Sequence, residues 1–194
     1  FLHNEFGVNY RFGKLGINAS AYNTDWQDRN LTKSVTTGQG DSGDTDVIFL
    51  TGVNQKHSGV ELETNYMVND MLDLMFVASF GNWKFDGDAN GNYQETEYNS
   101  EGQAIGYTTT EYAYALDGLY VGDMPQTSYV LGVTLKPIKD LRIQAIHKMY
   151  DKNYSDWSPS AREFDGTNDD ADRAQVWEAP SYNRLDLHMS YKLP

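Results

Sequence analysis

The chain contains no cysteine. That excludes a disulfide framework and a thiolate metal site. No apolar run approaches the ~20 residues that a membrane-crossing helix needs, so helical spans are excluded. Crossing by strands is not excluded, because each strand of a transmembrane barrel carries a much weaker signal. Basic residues are scarce: 15 Lys and Arg stand against 28 Asp and Glu, for a net charge of −13. An acidic chain of this kind is a poor partner for nucleic acid. Catalytic signatures are missing too. There is no G-x-S-x-G and no paired-histidine motif, and His3, His57, His147 and His188 are scattered without ligand spacing. An active site would have to be assembled from distant loops, so no enzyme is expected. The chain opens on Phe1-Leu2 without an initiator Met or a visible signal peptide, as expected of a mature or partial sequence.

What is present is period two. The 194 residues are enough for one domain with a sizeable core. Aromatics make up 13% of them, including 14 Tyr, which suits a β-protein with a wet boundary. In "GVELETNYMVNDMLDLMFVASF", residues 59–80, Val60, Leu62, Tyr66 and Val68 share one side and Glu61, Glu63 and Asn65 the other. After Asn69-Asp70 the pattern restarts with Leu72, Leu74, Phe76, Ala78 and Phe80. These are two strands and a tight turn.

The same pattern predicts seven long strands. The first carries Phe6, Val8, Tyr10 and Phe12, and the second carries Leu15, Ile17, Ala19 and Ala21 and runs toward Trp26. The third spans about 47–68 and the fourth about 71–85. The fifth carries Tyr129, Leu131, Val133 and Leu135. The sixth starts at Leu141, and the last carries Leu185, Leu187, Met189, Tyr191 and Leu193. Residues 30–46, 86–118 and 151–180 are expected to be loops, with 107–120 ambiguous between loop and hairpin.

A soluble sandwich and a membrane barrel share this period, turned inside out. Three features favour an all-β antiparallel transmembrane barrel with long outer loops. Connections alternate between tight (13–14, 69–70, 136–140) and long, which places all the tight turns at one end. Several strands exceed the ~9–11 residues that cross a bilayer, whereas sandwich strands are nearer five or six. Tyr10, Tyr66 and Tyr191 fall on apolar faces near the tight-turn end, where an aromatic girdle would sit. Charge agrees: residues 86–118 hold seven acids and no Lys or Arg, while Lys14, Lys136 and Lys139 lie at the tight turns. Seven is odd, and bacterial barrels use even counts of at least eight, so more strands are expected.

The blocks "GVNQKHSGVELETNYMVNDMLDLMFVASFGNWKF", "YVGDMPQTSYVLGVTLKPIKDLRIQ" and "APSYNRLDLHMSYKLP", in this order, resemble the late barrel strands of TonB-dependent outer-membrane receptors, most closely the Bacteroidota type. The pattern carries over onto the Gly59–Glu63 strand, the Asn69-Asp70 turn, the 71–85 up-strand and Val121–Gln126. The resemblance implies that residues 1–194 are a C-terminal portion of a barrel of about 22 strands, with the plug domain absent. It implies a receptor in a Gram-negative outer membrane that takes up a scarce ligand. It also implies partners: the lipid bilayer and lipopolysaccharide, the TonB complex through the missing plug, and a surface lipoprotein. The alternative is a soluble, calcium-stabilised β-sandwich of carbohydrate-binding type, in which the Leu185–Tyr191 face would be buried against a second sheet.

"DGDANGNYQETE", residues 86–97, fits the calcium-loop pattern D-x-[DN]-x-[DN]-G-x5-E. Asp86, Asp88, Asn90, Asn92 (through its carbonyl), Gln94 and Glu97 are the expected ligands, since Ca2+ takes six to eight hard oxygens. The flanks read as strands, so this is not an EF-hand. No cofactor beyond this Ca2+ is expected. "GQGDSG", 38–43, matches G-x-G-x-x-G, but no helix pattern follows and Asp41 and Asp44 would repel a pyrophosphate. "FDGTNDDADR", 164–173, reads as a solvated tip. Trp83, Trp157 and Trp177 lie in or near the outer loops. Of these, Trp157 and Trp177 are the expected ligand-gripping rings.

Overall fold

A computed structural model describes residues 1–36, 45–164 and 172–193. The "GQGDSG" stretch and most of "FDGTNDDADR" lie outside the described residues. Eleven strands occur among the described residues: β1 (Leu2–Phe12), β2 (Leu15–Thr36), β3 (Thr45–Asn69), β4 (Leu72–Phe85), β5 (Ala89–Tyr98), β6 (Ala104–Tyr114), β7 (Pro125–Leu135), β8 (Leu141–Tyr154), β9 (Glu163–Phe164), β10 (Glu178–Ala179) and β11 (Tyr182–Tyr191). A 3-10 turn covers Pro159–Ala161.

The seven expected long strands form one antiparallel meander, β1-β2-β3-β4-β7-β8-β11. The sheet does not close: among the described residues β1 is bonded only to β2, and β11 only to β8. Tight turns gather at one end. Gly13, with φ 55°, opens the two-residue turn between Phe12 and Leu15, which suits the hairpin turn type that needs positive φ at its first central residue. The Asn69 carboxamide accepts the Met71 N–H at 2.8 Å to shape the second turn. Backbone bonds from Met67 to Lys14, Lys136 to Met71, and Lys192 to Asp140 link neighbouring turns side by side.

Register makes the two faces explicit. One row crosses all seven strands as Phe12, Leu15, Tyr66, Leu74, Val133, Ala145 and Leu187. The row one step up the other face is Arg11, Gly16, Asn65, Met75, Gly132, Ile146 and Asp186. The apolar face is uncovered: Leu187 is 71% exposed and Met189 76%. A soluble protein seldom shows so large an apolar surface, and lipid or a partner must cover it. The sandwich is therefore contradicted. All described strands belong to one sheet, and none lies over Leu185, Leu187 or Met189. Tyr10, Tyr66 and Tyr191 are exposed on the apolar face at the tight-turn end, the placement of an interfacial girdle.

The long connections differ from expectation. Of residues 30–46, those described are strand, since β2 reaches Thr36 and β3 starts at Thr45. Residues 86–118 contain the β5–β6 hairpin, so the ambiguous 107–120 stretch is strand up to Tyr114. Beyond the apolar band a strand no longer has to face lipid, and β5 (ANGNYQETEY) is largely polar on both sides.

The hairpin stacks above β4 along the same edge of β3. β4 pairs with residues 55–69 of β3, and β5 pairs with 47–51. A bulge with positive φ at Asp28 and Gly52 shifts the β2–β3 register. It turns Leu50 and Ile48 to the side that already holds Val53. These residues join Phe85, Ala89, Tyr114, Leu116, Leu119, Tyr154, Trp157 and Val176 in a buried cluster. The core of this chain thus sits beyond the apolar band, at the end that carries the long connections.

Candidate functional site

The face opposite the apolar band is a polar wall. Successive rows across β1 to β4 read Arg11–Gly16–Asn65–Met75, Asn9–Asn18–Glu63–Val77, Gly7–Ser20–Glu61–Ser79 and Glu5–Tyr22–Gly59–Gly81. On β8 and β11, Asp186 bridges Lys148 at 3.2 Å and Arg184 at 2.8 Å. At the tight-turn end Lys136 pairs with Asp73 at 2.6 Å. A small apolar island interrupts this wall where Met75 overlies Gly132 and Val77 faces Val130.

Toward the outer rim the wall becomes aromatic. Gly59 and Gly81 are direct cross-strand partners. The Tyr22 phenol reaches over Gly59 and the Trp83 indole over Gly81, close enough that a Cβ would meet them at 2.5 Å and 2.8 Å. The Trp83 Nε1 donates to the Tyr22 hydroxyl at 2.9 Å. His57, the cross-strand partner of Trp83, stacks on its ring with centroids 5.5 Å apart. Gln126 is 1% exposed and clamps the same strand. Its Oε1 accepts the Trp83 N–H at 2.8 Å, and its Nε2 donates to the Trp83 carbonyl at 3.0 Å. A buried amide with both ends bonded fixes the ring cluster in place. Sequence inspection singled out Trp83 but missed Tyr22, His57 and Gln126. The signal for them was the Gly59/Gly81 pair, visible only once register is known.

The two tryptophans expected to grip ligand part company. Trp157 is 4% exposed and packs against Phe85 and Tyr114, with the Lys33 ammonium over its ring. It is a core residue, which corrects the expectation. Trp177 is 66% exposed beside the Ser155–Trp177 backbone bond and is free to meet a ligand.

The calcium-loop residues are not gathered. From Ala89 the chain is an extended strand, so Asn90 and Glu97 lie roughly 23 Å apart at ~3.3 Å per residue, whereas one Ca2+ holds its oxygens within ~2.6 Å of itself. Asn90, Asn92 and Gln94 are paired along β6 with Ala113, Glu111 and Thr109, and the Glu97 carboxylate accepts the Thr108 hydroxyl. Asp86 pairs with Lys56 at 2.7 Å. Asp88 accepts the Leu116 and Asp117 N–H groups and meets Arg173 at 2.8 Å. The Arg173 guanidinium, with help from these N–H groups, holds the Asp88 carboxyl below the usual carboxylate range. The acid-rich spacing therefore serves a hairpin and its anchor. Among the described residues no three His, Asp or Glu side chains come close enough to hold a metal ion.

The sequence model of the family described as TonB dependent receptor-like, beta-barrel matches residues 3–194. Comparisons with curated proteins and with solved structures gave no match. The one-sided apolar band, the polar inner wall, the tight turns at one end and the match over nearly the whole chain agree: the chain belongs to the TonB-dependent receptor-like β-barrel family, whose setting is the outer membrane and whose work is reception and transport.

Proposed function

We propose that this chain forms part of the barrel wall of a receptor for energised, TonB-linked uptake of a scarce ligand across a Gram-negative outer membrane. The observation that carries the proposal is the register itself. The apolar row runs unbroken from Phe12 to Leu187 on one side, and the other side is polar apart from the island around Met75, Val77, Val130 and Ile146. A wall of this kind separates lipid from a hydrated passage. The wall supplies a path and a binding surface and performs no covalent chemistry. The ring cluster at the outer rim and the exposed Trp177 are the groups that an incoming ligand would meet first. The bilayer covers the apolar face. Lipopolysaccharide and a surface lipoprotein are the partners that the outer end would meet, and coupling to the TonB complex would run through the plug.

The test is uptake by cells that carry the whole receptor and by a deletion strain. The probes are 55Fe-loaded hydroxamate and catechol chelates, labelled cyanocobalamin, fluorescent oligosaccharides and labelled oligopeptides. Receptor-dependent accumulation of one probe that collapses under an uncoupler is the expected result. Equal accumulation in both strains for all the probes would end the proposal. Spin labels at Leu74, Leu131 and Leu187, compared with Glu63, Thr134 and Asp186, check the orientation of the wall independently. Oxygen should reach the first set and water-soluble reagents the second.

A further inference from the structure

The β5–β6 hairpin ends in an open edge. β6 is bonded to β5 along one side. On its other side β9 pairs only with Ala113 and Tyr114, and among the described residues no strand pairs with the rest. One bond fixes the direction of the free groups. The Ala115 N–H donates to the Arg162 carbonyl at 2.9 Å, toward β9. Alternate residues of a strand turn their N–H and C=O the same way, and the register from Tyr114 to Gly106 has no shift. Tyr107, Thr109 and Glu111 therefore aim their backbone groups out of the sheet. Residues 104–111 are all exposed. Natural sheets blunt such an edge with Lys, Pro or a covering element. Here residues 86–118 contain no Lys, Arg or Pro, and the edge carries strand-forming Tyr107, Thr108, Thr109, Thr110 and Tyr112. Tyr107 is 66% exposed, although the hairpin stands beyond the lipid-facing band.

We propose that β6 accepts an extended basic strand of a separate cell-surface protein, which adds to the sheet beside Tyr107, Thr109 and Glu111. Strand addition takes affinity from main-chain bonds and specificity from alternate side chains. Tyr107 and Glu111 lie on one face of β6, four positions apart. The added strand sets an aromatic or β-branched side chain against Tyr107 and a Lys or Arg against Glu111, the cross-strand pairs that stabilise a sheet. Charge chooses the partner. The hairpin carries Glu97, Glu101 and Glu111 and no base, which favours a cationic strand and opposes a second copy of the same hairpin. The chain's own connection after β9 is too short to cover the edge. Its two ends are held together at the foot of the hairpin, where the Arg162 guanidinium donates to the Asp172 carbonyl and Arg173 lies 5.7 Å from the Phe164 ring. The seven residues 165–171 can go out and back by about 13 Å at ~3.3 Å per residue. Tyr107 lies about 20 Å along β6 from Ala113, the partner of Phe164.

The test uses the whole receptor in the cells that make it, with Tyr107 replaced by the photo-crosslinking residue benzoylphenylalanine. After illumination, the crosslinked segment is sequenced by mass spectrometry. The expected product is heavier than the receptor by one separate protein, joined through a single segment with a Lys or Arg four positions from an aromatic or β-branched residue. Thr109→Pro removes one outward N–H and no bond to β5, a change that edge strands tolerate. It should lower the yield at least fivefold in receptor that still runs as a folded, heat-modifiable band. Glu111→Lys leaves the backbone intact and should lower the yield at least threefold, which decides the matter if the proline variant does not fold. Absence of a crosslink, a crosslink confined to the receptor's own polypeptide, or a segment without a base would each overturn the proposal. So would a yield indifferent to Thr109→Pro in folded receptor, or to Glu111→Lys. Docking here rests on this end facing the medium, as proposed above, and needs no energised transport, so a failed uptake assay leaves it standing.

Discussion

The Tyr22 hydroxyl and the Trp83 indole meet at 2.9 Å above a pair of glycines, Gly59 and Gly81, that face each other across β3 and β4. The rings occupy the volume that two side chains would otherwise fill. Placing a methyl group at Gly59 puts it 2.5 Å from the Tyr22 oxygen and 2.7 Å from the Phe80 backbone carbonyl. The ring can swing away, but the carbonyl cannot. Gly59→Ala should destabilise the barrel by about 1–3 kcal/mol, the range for overpacking. Unfolding in lipid vesicles, followed by the mobility shift of the folded band, measures it.

Gln126 supports the same cluster from behind. Its amide satisfies the N–H and the carbonyl of Trp83 and reaches the Val121 carbonyl at 3.3 Å. Gln126→Leu keeps the volume and leaves the Trp83 N–H without its partner, while the Trp83 carbonyl keeps the Val121 N–H at 3.0 Å. A buried unsatisfied group costs about 1–3 kcal/mol, so the substitution should lower stability within that range. It should also raise amide exchange at Trp83 and Val121, while exchange along β1 stays the same.

Trp157 is the centre of the outer core, beyond the apolar band. Trp157→Ala should cost about 3–5 kcal/mol locally, as large-to-small changes of aromatic core residues do. The damage should stay in the outer core. Limited proteolysis should cut the β5–β6 hairpin, while the membrane strands remain protected. Proteolysis of the membrane strands at the same rate would mean that the two regions unfold as one.

The Asp88–Arg173 contact gives the outer core a pH dependence of predictable sign. The Asp88 carboxyl is held below its ordinary value of 3.8, chiefly by Arg173. A group with a depressed folded-state pKa contributes stability that is fully present above the unfolded value. That stability is lost as pH falls through the folded one. Protease sensitivity of residues 172–178 should therefore rise as pH drops below 3.8 and stay flat above it. Asp88→Asn should remove this pH dependence and leave the segment sensitive throughout.

The two faces should respond differently to the same charge. Leu131→Arg places a cation among lipid tails and should cost about 2–4 kcal/mol if the site is near the midplane. Ser190→Arg, on the polar face of β11, should change stability by less than about 0.5 kcal/mol. Equal costs at the two positions would contradict a lipid-facing band.

Where lipid met one face and water the other, the sequence was legible. Leu185, Leu187 and Met189 alternate with Arg184, Asp186 and His188 because each strand must serve two solvents, and β11 lies where that alternation places it. The hairpin was less legible. Asn90, Asn92, Gln94 and Thr96 are polar at every second position, but no lipid fixes the character of the other side. The spacing of acids then resembled an ion loop more than a strand. Trp157 misled for a related reason: a tryptophan between polar residues looks exposed until the bulge at Gly52 turns Leu50 and Ile48 toward it. The ring cluster depended on register between strands distant in sequence, which periodicity within a strand does not carry.

The excursion from Phe85 to Leu119 is sealed at its base. Phe85 and Leu119, Gly118 and Phe85, and Val121 and Trp83 are joined by backbone bonds of 2.9–3.1 Å. The chain leaves β4 and returns toward β7 through this seam, and the β4–β7 register begins just below it, at Phe80 and Thr127. Residues 92–111, beyond the core members Ala89 and Tyr114, therefore behave as an exchangeable cassette. Lengthening, shortening or replacing it alters what the cell surface presents to its surroundings, while the strands in the membrane keep their partners. A lineage can change what its receptor meets outside without rebuilding the part that holds it in place.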